Sequence, residues 1–210
     1  MIVSASSVPA RPDAPAGASR PGRRWLPTVL VALVMSVTVL GGFVVAGTLP
    51  ASDVAQISLG DLLTIRPLPG WEVARREPVS VPSPSGAETP GEFVQLTRGS
   101  GALDLVALPG VGGTALELAD VYATGVLTRQ LERLSVSDVV ERLTLPNGLA
   151  AVRFGYIGSE PQTGAAIEGS VTTVVAPSGN GAVFDGWAFQ GQLQLISGEL
   201  VAMVESAEVA

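Results

Sequence analysis

The side chains able to carry out covalent or acid–base chemistry are sharply limited in this chain. Among 210 residues there is no histidine and no cysteine. That removes histidine general acid–base catalysis, Ser-His-Asp and Cys-His nucleophile systems, and zinc sites built on His or Cys. What remains is carboxylate chemistry. Asp185, set between the apolar Phe184 and Trp187, is the most distinctive single acid, but no recognisable motif places a second acid beside it, as paired-carboxylate catalysis requires. It reads first as a turn or hydrogen-bonding residue. Pro109-Gly110-Val111-Gly112-Gly113-Thr114 runs into a helix start, where free amides can receive an anion. It lacks the Gly-Lys-Ser/Thr of a phosphate-binding loop and the full dinucleotide fingerprint, so a connector is expected. Glu160-Pro161-Gln162-Thr163-Gly164 resembles a sortase signal without its leading leucine, and a strand follows it instead of a membrane tail.

Charge is unevenly distributed. Arg11, Arg20, Arg23 and Arg24 precede an uncharged block, opposed by Asp13 alone, while the sequence after the block holds eight arginines against eighteen acids. There is no lysine anywhere. An acidic module of this kind lacks the basic footprint that neutralises phosphates, so no nucleic-acid partner is expected.

From Trp25 to Pro50 no residue is charged, and Val29 to Leu49 is almost wholly apolar or small. At 1.5 Å per residue such a stretch makes a helix of about 31 Å, matching a hydrocarbon core of about 30 Å. Arg23 and Arg24 beside Trp25 form the basic and aromatic border expected on the cytoplasmic side. The expectation is a transmembrane helix over 25–50, a cytoplasmic N-terminus with a disordered tail over 1–24, a linker over 51–55, and an extracytoplasmic domain over 56–210 at the plasma membrane. A cleaved signal peptide is the competing reading, but its apolar region usually runs to about 7–15 residues. Small residues at Ala32, Ser36, Gly42 and Ala46 would permit close helix approach, which leaves an oligomer open.

In the outer segment, Ile57–Pro67 reads as extended, Pro69-Gly70-Trp71 as a turn into a strand, and the four prolines of Pro78–Gly91 as an exposed loop. Glu92–Arg98 and Ala102–Leu108 form a hairpin around Gly99-Ser100-Gly101. Thr114 with Glu117 makes a capping box. The helix it opens is expected to bury Leu116, Ala119, Ala123, Val126, Leu127 and Leu134. Strands follow at Val136–Leu145, Leu149–Ile157, Ala166–Ala176 and Ala182–Gln190, the first two joined by a turn at Pro146-Asn147-Gly148, and a last short helix over Gly198–Ser206 buries Leu200, Met203 and Val204. Strands, a long helix, an antiparallel series and a final helix together indicate an α+β domain with one antiparallel sheet covered by helices.

This layout resembles the PsbP-like fold, an α/β/α sandwich of secreted and envelope proteins that includes the LpqN-type lipoproteins of mycobacteria. The resemblance rests on Pro69-Gly70-Trp71, the long helix, the meander after it, Phe184-Asp185-Gly186-Trp187, Gly191-Gln192-Leu193 and a final helix reaching Met203-Val204-Glu205-Ser206. It spans roughly residues 56–210. What it implies is a binding or assembly module without a catalytic centre or cofactor. One departure is plain: LpqN-type proteins carry a lipid on cysteine, and this chain has none. The expected function is therefore a non-enzymatic, membrane-anchored envelope module for a protein partner or an apolar, lipid-like ligand. An envelope hydrolase using Ser, Asp or Glu, or a structural subunit of a membrane complex, are the alternatives. The groove between helix and sheet, marked by Tyr122, Phe154, Asp185 and Trp187, is where the ligand is expected.

Overall fold

The structure, a computed structural model, describes residues 56–210. The expected tail, helix and linker, with Arg23, Arg24, Trp25, Val29 and Leu49, lie outside the described residues. Among the described residues no helix is long and apolar enough to cross a membrane.

Seven antiparallel strands form the central sheet: β3 (Glu72–Pro82), β4 (Glu88–Arg98), β5 (Gly101–Leu108), β6 (Glu132–Thr144), β7 (Ala150–Ser159), β8 (Ala166–Val175) and β9 (Gly181–Phe189). Their spatial order is β3-β4-β5-β9-β8-β7-β6. Because β5 pairs with β9, the meander β6 to β9 folds back to place the last strand in the middle of the sheet. A small second sheet joins β1 (Ile57–Leu59), β2 (Leu63–Ile65) and the C-terminal β10 (Glu208–Val209), all antiparallel.

Side chains alternate between the two faces of a strand, and each face of the large sheet has its own core. One face packs Val106, Val171, Val183 and Phe154 against Leu118, Tyr122 and Leu127 of the helical segment after β5. The other packs Leu96, Leu103, Leu105 and Phe184 against Leu59, Leu63 and Ile65 of the small sheet and Leu200, Met203 and Val204 of the last helix. The result is an α+β fold, as the element order indicated, but with two antiparallel sheets where one was expected, the small sheet sharing with the last helix the cover of one face.

That helical segment comprises α1 (Ala115–Tyr122), a π-helical turn (Ala123–Leu127) and α2 (Thr128–Gln130). The capping box is present: Glu117 N–H donates to Thr114 Oγ1 at 3.3 Å, and Thr114 N–H donates to Glu117 Oε2 at 2.7 Å. Thr114→Ala is expected to destabilise the domain by about 1 kcal/mol, read by chemical denaturation; an unchanged midpoint would show that the cap carries none of the helix's stability. The buried face differs from expectation. Leu116 is exposed, while Leu118, Ala119 and Tyr122 are buried and Leu127 follows five positions later. The π turn absorbs one residue more than an α turn, so the 3.6-residue spacing fails across it. Leu134 is not helical at all, since the chain is extended at Leu131 and β6 begins at Glu132.

Pro78–Gly91 is a second departure. Only the turn at 83–87 is loop, and Pro78, Pro82 and Pro90 lie within strands. β3 is the sheet's outer strand, where a missing N–H is tolerated. Pro90 belongs to the part of β4 that pairs with β3 but lies beyond the β4–β5 register, which begins at Glu92. The turn at Pro69-Gly70 is as expected, with Trp71 N–H donating to Leu68 O at 3.1 Å and Gly70 at φ 86°. That combination of proline followed by positive-φ glycine is a type II turn. It seats the buried Trp71, whose indole donates to Glu199 Oε2 at 2.8 Å on α3 (Leu193–Glu205). The bonds from Trp71 and Arg98 pull the Glu199 carboxyl below its ordinary range.

Candidate functional site

A single transverse row of the sheet holds the chemistry. Read across the register, Arg75 on β3 neighbours Gln95 on β4, then Asp104 on β5, Asp185 on β9, Val171 on β8 and Phe154 on β7. All therefore point to the face that carries α1. The row is polar over β3, β4, β5 and β9 and apolar beyond. Asp104 and Asp185 are direct cross-strand partners, so two carboxyls stand side by side in the interior.

Each of the four carboxyl oxygens has one protein partner. Tyr156 Oη donates to Asp185 Oδ1 at 2.8 Å, and Tyr122 Oη, from the last turn of α1, donates to Asp185 Oδ2 at 3.2 Å. Gln95 Nε2 donates to Asp104 Oδ1 at 2.8 Å, and Trp187 Nε1 donates to Asp104 Oδ2 at 3.1 Å. Two like charges this close cannot both be stable in a desolvated place. Burial, and then the charge of Asp104, push the Asp185 carboxyl up to about 8, against the lowering effect of the two tyrosines. Burial also raises Asp104, while Gln95, Trp187 and Arg75 draw it down. Burial and Asp185 raise both tyrosines well above their ordinary range. The tyrosines thus stay protonated as donors, and burial biases both acids toward their protonated forms.

A cavity of about 310 Å³ opens over this pair. Asp104, Asp185 and Tyr156 form part of its lining, Trp187 and Phe93 give it aromatic wall, and Leu127, Gln130 and Leu131, from the π turn to the end of the helical segment, close one side. Of the four expected groove residues, Asp185 and Trp187 line it, and Tyr122 reaches it only through its bond to Asp185. Phe154 sits in the apolar core beneath α1. Four participants lie outside the expected groove residues: Tyr156, Asp104, Gln95 and Arg75. Asp104 had a readable signal, as the one charged residue inside the otherwise apolar run Ala102–Leu108. Gln95 and Arg75 had none, because only the cross-strand register brings them into the row.

The arrangement suits recognition. Its carboxyl oxygens can accept from a ligand's hydroxyl or amino groups while apolar walls bury the remainder. Among the described residues no serine or threonine hydroxyl is hydrogen-bonded to either acid, and no group of three or more acids is gathered for a metal ion.

No family model matches the chain, and no curated protein matches it. Solved structures do. The solution structure of cyanobacterial PsbP (CyanoP) from Synechocystis sp. PCC 6803 superposes with a TM-score of 0.50 at 14% identity, covering 78% of this chain and 96% of that one. LpqN of Mycobacterium tuberculosis, described as involved in cell envelope biogenesis, matches with a TM-score of 0.46 at 16% identity, over 74% of this chain and 90% of that one. A Pseudomonas aeruginosa protein of unknown function, PA94, described as a putative regulator, gives 0.39 at 12% identity, over 72% of this chain and 94% of that one. At these identities the likeness concerns fold, and the fold is PsbP-like.

Proposed function

We propose that residues 56–210 form a non-enzymatic binding module of the cell envelope, held at the outer side of the plasma membrane by the apolar N-terminal segment. Its ligand is an amphipathic molecule whose hydroxyl or amino groups meet Asp104 and Asp185 and whose apolar part lies against Trp187, Phe93 and Leu127. The observation that carries this reading is the cavity itself, with the cross-strand acid pair Asp104 and Asp185 at its floor and aromatic and aliphatic walls around it. Purely apolar chains fit less well than the sequence suggested, since the floor rewards hydrogen-bond donors and repels anions. A hydrolytic role would need a nucleophile or a directed water at the acids, and their protein contacts are tyrosine, glutamine and tryptophan.

The test is a fluorescence titration of the full chain in lipid nanodiscs with octyl glucoside below its micellar concentration. Binding is expected to shift the emission of Trp187, and the shift should vanish in Trp187→Phe. Asp104→Asn, which replaces a charged acceptor by a neutral one, should weaken binding about tenfold, the equivalent of a charge-assisted hydrogen bond of about 1.5 kcal/mol. Equal affinity in wild type and Asp104→Asn would remove the acids from the reading, and no emission change at any concentration would remove the groove.

A further inference from the structure

The opposite face of the sheet holds a second cavity, of about 160 Å³, under α3. Its walls are apolar: Leu103 and Phe184 from the sheet, and Leu193, Leu200, Val201 and Val204 from the helix. The polar exceptions are Ser197 on the helix and, together at one side, Arg153, Ser170 and Thr172 from β7 and β8.

Arg153 is the informative residue. An arginine that merely covers apolar surface with its stem turns its head to water. Here the head also has one N–H tied to the sheet, while its remaining N–H groups stay open to solvent. Its Nε donates to the hydroxyl of Thr172 at 3.2 Å, and Thr172 is buried. The adjacent transverse row, facing the other way, places Glu141, Arg153, Thr172 and Phe184 in sequence across β6, β7, β8 and β9, so the guanidinium lies where the polar end of the row meets the apolar core. One acid lies within 4 Å, Glu141, with Oε2 at 3.7 Å from Nη1 and its own side chain 62% exposed. A loose pair with so exposed a partner contributes little. The other N–H groups of Arg153 have no protein acceptor among the described residues. In a segment carrying eight arginines against eighteen acids, a half-buried cation on the wall of an apolar cavity is an unusual use of charge.

We infer that this cavity is a second ligand site, for a small apolar carboxylate, with the carboxylate on Arg153 and the hydroxyls of Ser170 and Thr172 and the hydrocarbon between Leu103, Phe184, Leu200 and Val204. A cavity of about 150 Å³ is known to hold a benzene ring, so this one takes about six carbons, the length of a short acyl chain. The site is opposite in sign to the groove over Asp104 and Asp185 and lies across the sheet from it, so it does not depend on that groove having a ligand.

The test is an NMR titration of the full chain in lipid nanodiscs, following the Arg153 Nε–H resonance, with octanoate, octanol and octylammonium as probes. Octanoate is expected to shift that resonance saturably and octanol to bind at least about tenfold more weakly, the loss expected for one charge-assisted contact. Octylammonium should not compete. Arg153→Gln, read on the methyl resonances of Leu200 and Val204, should weaken octanoate by a similar factor, whereas Arg142→Gln on the other face should not. Equal affinity for octanoate and octanol, or an unchanged affinity in Arg153→Gln, would overturn the site, as would no saturable shift with octanoate.

Discussion

Raising the pH from 5 to 9 is expected to destabilise the domain by on the order of 3–5 kcal/mol, a loss that Asp185→Asn should largely remove. The sign follows from proton binding. In the folded chain burial and Asp104 push Asp185 up to about 8, whereas in an unfolded chain an aspartate titrates near 4. Between those values the folded state binds more protons than the unfolded one, so stability falls with rising pH and the contribution is gone above about 8. Burial leaves Asp104 raised in the same direction. Glu199, drawn down by Trp71 and Arg98, acts oppositely, and its smaller contribution is lost as the pH falls through the acid range. The optimum should therefore lie at mildly acidic pH. Urea denaturation at intervals between pH 4 and pH 9 measures it. A flat profile from 5 to 8, or the same slope in Asp185→Asn, would show that the acids are better solvated than their burial implies. Asp185→Asn should also be the more stable protein at pH 9.

The second large effect comes from a residue with no side chain. Gly169 on β8 lies opposite Tyr156 on β7, and a Cβ built at Gly169 would fall 2.3 Å from Tyr156 Cζ and 2.4 Å from its Oη. The tyrosine ring lies across the glycine to bring its hydroxyl to Asp185. Gly169→Ala should force the ring away, adding the strain of overpacking to the loss of a buried hydrogen bond, about 3 kcal/mol in all. A merely local clash and a disrupted acid site are separable by a double-mutant cycle with Tyr156→Ala. If the ring is the cause, Gly169→Ala should cost less than about 1 kcal/mol in the Tyr156→Ala background. Full additivity would place the damage elsewhere.

The strand breaks, the start of the first helix and the meander were readable because turns and caps are local chemistry, whereas the last helix, which has no side-chain cap, begins at Leu193 and not at the expected Gly198. Gly99-Ser100, Thr114 with Glu117, and Pro146-Asn147-Gly148 each announce a reversal or a cap within a few residues. The helix misjudged at Leu116 and Leu134 shows where local reading stops: a π turn changes the phase of burial without changing composition. The prolines at 78, 82 and 90 misled for a related reason. Proline signals a loop unless the strand is at an edge, and which strand is at an edge is a property of the whole sheet. The candidate site divides the same way. Asp185 and Trp187 stood out beside apolar neighbours, but the pairing of Asp185 with Asp104, some eighty positions apart, exists only because β9 returns to lie against β5.

The two outer strands of the large sheet bear on how this domain can be recognised. On β3, prolines at 78 and 82 and a register shift between Val73 and Arg75 leave short stretches of regular backbone. On β6, shifts between Glu132 and Ser135 and between Val136 and Val140 do the same over its first half, and the regular run that follows carries Glu141 and Arg142. Main-chain pairing is indifferent to sequence and joins any extended peptide to any open edge. With that indiscriminate route interrupted on both flanks, selectivity is left to side chains on the two broad faces, and the domain can stand in a crowded compartment without recruiting stray strands.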